Sequence, residues 1–507
     1  MFAMYDDQRI IYREYIQNAY DAIYKAVEEK VLPALKEGVV DVQINAAERR
    51  ITIRDNGIGI PKSEVAEKLL NIADSCKDGV KSAGQYGIGR LTGAGYCRYL
   101  KFKTSAQGEN NAVILTFDVV AANQIINDMS DSSSATEVID AVTHQEIIEE
   151  DVSAHYFEVT LEGVNTEYGD LLDTKIIEDY LREVAPIDYS LPFKNTLFEP
   201  SVERKANPDF KQLYKEIGHI QVFINGKQPA ILKRYGTVIE GTHDEIDSLD
   251  LFEVKDDKDR RLAWGWYAVT PFTKAIPSTD LNRGIRLRKH NIQLGTADAL
   301  NKYFGEARGN NYFYGEVFAI HPNLRPNSDR SGLAPTPETE ILFRELRKIF
   351  KNLGQLYHEA NRAKNVAQKV TRALDNFNQG INDEKQLKAD IRLADAELKK
   401  LEKKNEQSQV FKRVIELHKH RAEKQKEAVS SKEVLEGRNE QRSTIVREAL
   451  QVAIRGDIYM PLREKFTEKD ILLLRRTFTY MQQACPASNK ELLEQLQLHA
   501  ITQLKIS

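Results

Sequence analysis

The spacing of hydrophobic positions changes character along the chain. In YREYIQNAYDAIYKAVEEKVLPAL the apolar residues recur at helical intervals, with Ile16, Tyr20, Ile23 and Val27 on one stripe, which predicts a helix facing a core. VVDVQINAAERRITIRDNGIGIP then alternates as two strands joined by a polar turn, followed by a glycine loop stopped by Pro61. GQYGIGRLTGAGYCRYLKFKTSA reads as a second glycine loop running into a helix and a strand, and NNAVILTFDVV and HYFEVTLEGV supply further strands. Residues 1–165 are therefore expected to form an α+β layer with helices on one side of a sheet. Over 166–345, HIQVFING, RLAWGWYAV, GIRLRKHNIQLG and YFYGEVFAIH predict a second α/β domain. From about Thr336 onward Gly and Pro nearly vanish. Leu387, Ile391, Ala394, Leu398 and Leu401 hold a/d spacing until Asn405 and Ser408 break it, so 346–447 reads as a helical hairpin or short coiled coil. A last helical block, 448–507, is expected to dimerise or dock.

Composition narrows the class. The 507 residues suggest about three or four domains. A formal net charge of -4 argues against a chain dominated by nucleic-acid binding. Cys76, Cys97 and Cys485 lie far apart with no CxxC pair, so neither a disulfide framework nor a zinc site is expected. No apolar run approaches the roughly 20 residues that span a bilayer, and the N-terminus lacks the basic-then-apolar order of a signal peptide. A cytoplasmic protein without a membrane partner is expected.

Three stretches carry candidate chemistry. Glu14, Asn18 and Asp21 stand at i, i+4 and i+7, so two carboxylates and an amide share one helix face. Such a face can be a solvated one. It can equally offer an oxygen to magnesium, which takes few protein ligands, and a carboxylate to orient or deprotonate water. Asp55 ends a predicted strand just before Gly57 and Gly59, placing a carboxylate where the backbone can be approached closely. Such a carboxylate can accept the exocyclic amine of adenine. Gly84, Gly87, Gly89, Gly93 and Gly95 surround a predicted helix start, where backbone N–H groups can cradle phosphates. The Walker and Rossmann patterns are absent from that loop.

In order, ExxxNxxDA, DxGxG and GxxGxG resemble the GHKL ATPase superfamily, which includes heat-shock 90 chaperones, gyrase-type topoisomerases, MutL, MORC proteins and histidine kinases. IADSCK and GQYGIGRLTGA look most like the lid of the heat-shock 90 group. The resemblance implies a Bergerat-type ATP-binding sandwich that uses ATP and Mg2+. By it Glu14 is the general base, Asn18 the magnesium ligand, and Asp55 the adenine reader. Gly57 and Gly59 shape the base pocket, and Asp21 completes the helix motif. Ser75, Lys77, Gly84, Gln85, Gly87, Ile88 and Gly89 belong to a lid over the phosphates. One departure stands out: where the family has a glycine-threonine pair before the last strand, this chain is expected to have Ala154 and His155.

The second domain resembles the transducer domain of the same superfamily, which delivers a basic side chain to the γ-phosphate; Arg283, Arg286, Arg288, Lys289 and Arg330 are the candidates. The resemblance implies an ATP-driven clamp, a homodimer that closes through its N-terminal domains on a protein client or partner. A chaperone-like or MORC-like role, a bacterial antiviral defence system and a nucleic-acid partner all stay open. The alternative is an ATP-binding scaffold with little hydrolysis of its own. A sensor histidine kinase is disfavoured, because only 13 residues precede Glu14 and a phosphoacceptor helix is expected there. KKLEKK and HKHRAEKQKE read as solvated helix faces rather than nucleic-acid contacts, since glutamates interleave and aromatics are missing.

Overall fold

The computed structural model describes residues 7–70, 89–127, 135–204, 209–242, 244–327, 330–378, 381–405 and 408–418, with isolated positions between 462 and 501. It opens with helix α1 (Ile10–Glu28), whose Ile11, Ile16, Ala19, Ile23 and Ala26 are buried. Strands β1 (Val39–Asn45), β2 (Arg50–Asp55), β3 (Tyr99–Ser105), β4 (Asn111–Asp118), β5 (Thr143–Glu149), β6 (Tyr156–Glu162) and β7 (Gln221–Ile224) form one sheet in the order β5-β4-β3-β6-β2-β1-β7. Neighbours run antiparallel except β1 and β7, which are parallel. Period-2 alternation buries Val40, Val42, Ile51, Ile53, Leu100, Phe102, Val159 and Leu161 beneath α1, as the sequence pattern predicts. β5 escaped that reading because it is an edge strand, almost wholly exposed, and carries no alternation.

A second sheet, in the order β11-β10-β12-β9-β8, is built from β8 (Ser248–Lys255), β9 (Arg261–Val269), β10 (Gly284–Lys289), β11 (Ile292–Gln293) and β12 (Tyr314–Ala319). The expected strands are present, but HIQVFING becomes β7 and pairs with β1 rather than joining this sheet.

The two cores are threaded rather than consecutive. After β6 the helix Thr174–Val184 places Ile177, Leu181 and Val184 in the first core. Phe193, Leu197, Phe198, Phe210 and Leu213 then pack with Trp264 and Trp266 of the second. Ile220, Val222, Ile224 and Ile231 return to the first core, and Tyr235 belongs again to the second. The first sheet and its core thus extend well past the boundary expected at residue 165.

Beyond the second sheet, helix Pro337–Asn378 and helix Glu384–Lys404 form an antiparallel hairpin. Lys369 meets Glu397 at 2.8 Å and Lys404 meets Glu359 at 2.8 Å, so pairing partners run in opposite directions. Leu387, Ala394 and Leu398 pack on Val366, Val370 and Leu374, and the helix ends where Asn405 interrupts the spacing. Residues 419–447 of the expected coiled-coil region and most of 448–507 lie outside the described residues. Among the described residues no helix is long and apolar enough to cross a membrane.

Candidate active site

Helix α1 carries the polar face that its sequence predicts, and buries much of it. Glu14 and Gln17 are 3 % exposed, whereas Asn18 and Asp21 are partly open. The opposite side is tied down by tyrosine hydroxyls. Tyr12 donates to the Leu171 carbonyl at 2.6 Å and Tyr20 to the Ile217 carbonyl at 3.2 Å. Tyr15 donates to the Arg90 carbonyl at 3.1 Å and accepts from the Gly93 N–H at 2.9 Å. A side chain on Gly93 would collide with that hydroxyl, a Cβ falling 2.5 Å from it. Burial, opposed by Arg330 and reinforced by Glu14, pushes the Asp21 carboxyl up to about 7.

Asp55 ends β2 in register with Val40 on one side and Phe157 on the other. It is buried, and its Oδ1 accepts the Gly57 N–H at 2.8 Å. Burial raises its carboxyl to about 7 despite backbone hydrogen bonds from Gly57 and Phe157. The loop that follows docks directly on α1: the Ile58 N–H donates to the Ala22 carbonyl at 3.1 Å. A Cβ on Gly57 would lie 2.6 Å from the Ala22 Cβ, and Gly59, at φ 70°, would press against the Ser105 carbonyl. Both glycines therefore hold the loop against protein, and the space they leave is filled by α1 and β3.

At the expected glycine-threonine position, Ala154 and His155 stand immediately before β6, which begins at Tyr156. Phe157, not Ala154 or His155, stands opposite Asp55. His155 Nδ1 lies 2.9 Å from the Gly57 carbonyl. That oxygen can only accept, so Nδ1 carries the proton and Nε2 is left as an acceptor in the neutral ring.

Of the five basic candidates in the second domain, one reaches α1. Arg330 lies in the segment before helix Pro337–Asn378, and its Nε donates to Glu14 Oε2 at 2.9 Å while lying 2.7 Å from Oε1. Its Nη1 donates to the Gln17 Oε1. Arg13 flanks the same carboxylate at 3.9 Å. The other candidates are engaged elsewhere. Arg288 is buried on Glu316 at 2.5 Å, with Lys233 on the same carboxylate at 3.0 Å. Arg286 binds Gln293 at 2.8 Å and Glu183 at 3.2 Å, Lys289 donates to the His321 carbonyl at 2.8 Å, and Arg283 pairs with Asp298 at 3.5 Å. These four are structural pairs that stitch β10 to its surroundings.

Gln17 was invisible to the sequence reading. A neutral amide one position before Asn18 carries no charge pattern; its i+3 spacing from Glu14 was the available signal. Ser75, Lys77, Gly84, Gln85, Gly87 and Ile88 lie outside the described residues, and Gly89 opens the short helix Gly89–Gly95. Among the described residues no group of three or more His, Cys, Asp or Glu could hold a metal ion. Asn18 stands partly open on the same helix face as Glu14. Asp55 pairs with Phe157 across the sheet and accepts from the Gly57 N–H on its loop side.

Comparison with known proteins agrees with this geometry. Residues 10–147 match the family model described as histidine kinase-, DNA gyrase B-, and HSP90-like ATPase. The chain is 29 % identical over 187 residues to the chaperone protein HtpG of Clostridium perfringens, which covers 34 % of this chain and 29 % of that protein. It is 25 % identical over 251 residues to HtpG of Francisella tularensis subsp. holarctica, covering 43 % of this chain and 38 % of the relative. HtpG of Alkalilimnicola ehrlichii is 26 % identical over 251 residues, 43 % of this chain and 37 % of its own length. The chain thus spans 29 % to 38 % of the length of these relatives.

Proposed function

We propose that this chain, whose N-terminal domain is a GHKL ATPase domain of the HSP90-like type, is an ATP hydrolase in which the second domain completes the catalytic site. The observation that carries the reading is Arg330: a guanidinium from the far side of the chain rests on the buried Glu14 of α1. In this reading Asp55 accepts the adenine amine and Asn18 offers its oxygen to magnesium. ATP with Mg2+ supplies the phosphoanhydride and the neutralising charge. Glu14 orients a water and takes its proton, a role for which a positioned carboxylate contributes roughly 10²- to 10⁴-fold. Arg330 offsets the negative charge that grows on the phosphoryl oxygens.

The proposed biological output is a clamp: a homodimer that closes through its ATP domains and acts on a protein client, in the manner that similarity to chaperone HtpG suggests. A MORC-like or defence role, with a nucleic-acid partner, is a variant of the same machine. The ATP-binding scaffold remains a second reading, favoured by Ala154 and His155 in place of the glycine-threonine pair, with His155 on the Gly57 carbonyl.

Steady-state ATP hydrolysis of the wild type and Glu14→Ala, with light scattering in the presence and absence of ATP and magnesium, tests this. Loss of turnover in Glu14→Ala with accumulation of an ATP-dependent dimer is expected. A wild type that binds ATP without turning it over would favour the scaffold.

A further inference from the structure

Two side chains of α1, not one, hold Arg330. Glu14 and Gln17 lie one helical turn apart, both almost fully buried, and their oxygens take the Nε and Nη1 edges of the same guanidinium. The arginine reaches them from a backbone at φ 54°, a left-handed conformation that is strained for a non-glycine residue. Hydrogen bonds fix that conformation: the Gly295 N–H donates to the Arg330 carbonyl at 2.9 Å, and the Arg330 N–H to the Asn327 carbonyl at 3.1 Å. Gly295 follows the β10–β11 hairpin, so the arginine is braced on the second sheet. Both Glu14 oxygens thus face Arg330, with Arg13 beside them, so a water has to compete with the guanidinium for the carboxylate in this arrangement.

We infer that Gln17 is a positioning residue: it helps park Arg330 on Glu14 when no γ-phosphate is present, and a nucleoside triphosphate must draw the guanidinium away. The inference rests on the proposed ATP site. A diphosphate has no γ-phosphate to compete for Arg330 and leaves the latch closed, so the latch penalises triphosphate binding alone. Gln17 suits the task because its oxygen is neutral. It orients the guanidinium through a single hydrogen bond, where a carboxylate would add a full opposite charge and could bind it bidentately. Releasing Arg330 also frees the Glu14 oxygens, so the base becomes available when the bond to be cleaved is in place.

The test is equilibrium calorimetry on the full chain with ADP and with a non-hydrolysable ATP analogue, which reads the latch apart from turnover. Gln17→Glu is expected to weaken the analogue about tenfold while ADP affinity stays within about twofold. Gln17→Ala is expected to strengthen the analogue relative to ADP. Simple repulsion between a new carboxylate and the γ-phosphate would mimic the first result, so Gln17→Glu is repeated on an Arg330→Gln background. There the latch predicts that the selective loss disappears; a loss that persists would overturn it. Equal shifts for both nucleotides, or none, would overturn it too while leaving the ATP site standing. A wild type that binds neither nucleotide would remove the ATP site itself. If Gln17→Glu does not fold, Gln17→Ala with and without Arg330→Gln carries the same comparison.

Discussion

At the residue scale the decisive feature is a pair of carboxyls that hold their protons unusually long. Asp55 is raised from 3.8 to about 7 by burial, so between those values the folded chain binds a proton that the unfolded chain has lost. The linkage sign follows: this group's contribution to stability falls as pH rises through that window and is level above it. Asp55→Asn removes the charge, so its thermal midpoint relative to wild type should climb between about pH 4 and pH 7 and level off above. The same variant should lose nucleotide affinity, because an amide can present a donor where the adenine amine needs an acceptor. A pH-independent difference in melting curves would contradict the burial argument, and unchanged affinity by calorimetry would contradict the adenine assignment. The positions of Glu14 and Asn18 on α1 and of Asp55 at the end of β2 were legible in the sequence because a charged or amide residue at helical spacing, or at a strand end before glycine, is a local pattern. Gln17 and His155 were not, since their roles depend on partners 313 and 98 residues away.

At the element scale, α1 is a platform gripped from several sides by Tyr12, Tyr15, Tyr20 and the loop after β2. The periodic stripe predicted the helix and its buried face. The tyrosine hydroxyls were not predictable, because each partner is a main-chain carbonyl set by long-range packing. Gly57 tests the contact between loop and helix. Gly57→Ala would drive a methyl into Ala22 and the Asp55 carboxylate, at 2.6 and 2.7 Å. A loss of about 1–3 kcal/mol in urea unfolding is expected, with weakened nucleotide binding, as for other overpacked sites. A variant as stable as wild type would mean that the loop does not rest on α1 as described. Most strands with a buried face were legible, β8 was missed although Leu249, Leu251 and Val254 are buried, and β5 was lost because an exposed edge has no such requirement.

At the scale of the whole molecule, the threading of the two cores limits how the chain can be divided. Composition and strand runs suggested consecutive domains, but sheet membership is a long-range property: nothing local in HIQVFING says that it will lie parallel to β1. A fragment 1–165 would lack β7 and the helix Thr174–Val184, uncovering the core that Ile177, Leu181, Val222 and Ile224 complete. It should be insoluble or lack a cooperative thermal transition, whereas the full chain melts cooperatively; a soluble, cooperatively folding fragment would show that the threading is dispensable. The same threading ties α1 to the second sheet, which makes Arg330 a reporter of how the two cores sit together. The central claim is that Glu14 and Arg330, 316 residues apart, act as one hydrolytic unit. ATP turnover at saturating nucleotide for the wild type, Glu14→Ala, Arg330→Ala and the double variant tests it most directly. Each single variant should lose roughly 10²-fold or more, and the double variant should be little worse than the weaker single, as for groups that act together. Multiplicative losses, or an Arg330→Ala that turns over like wild type, would contradict it.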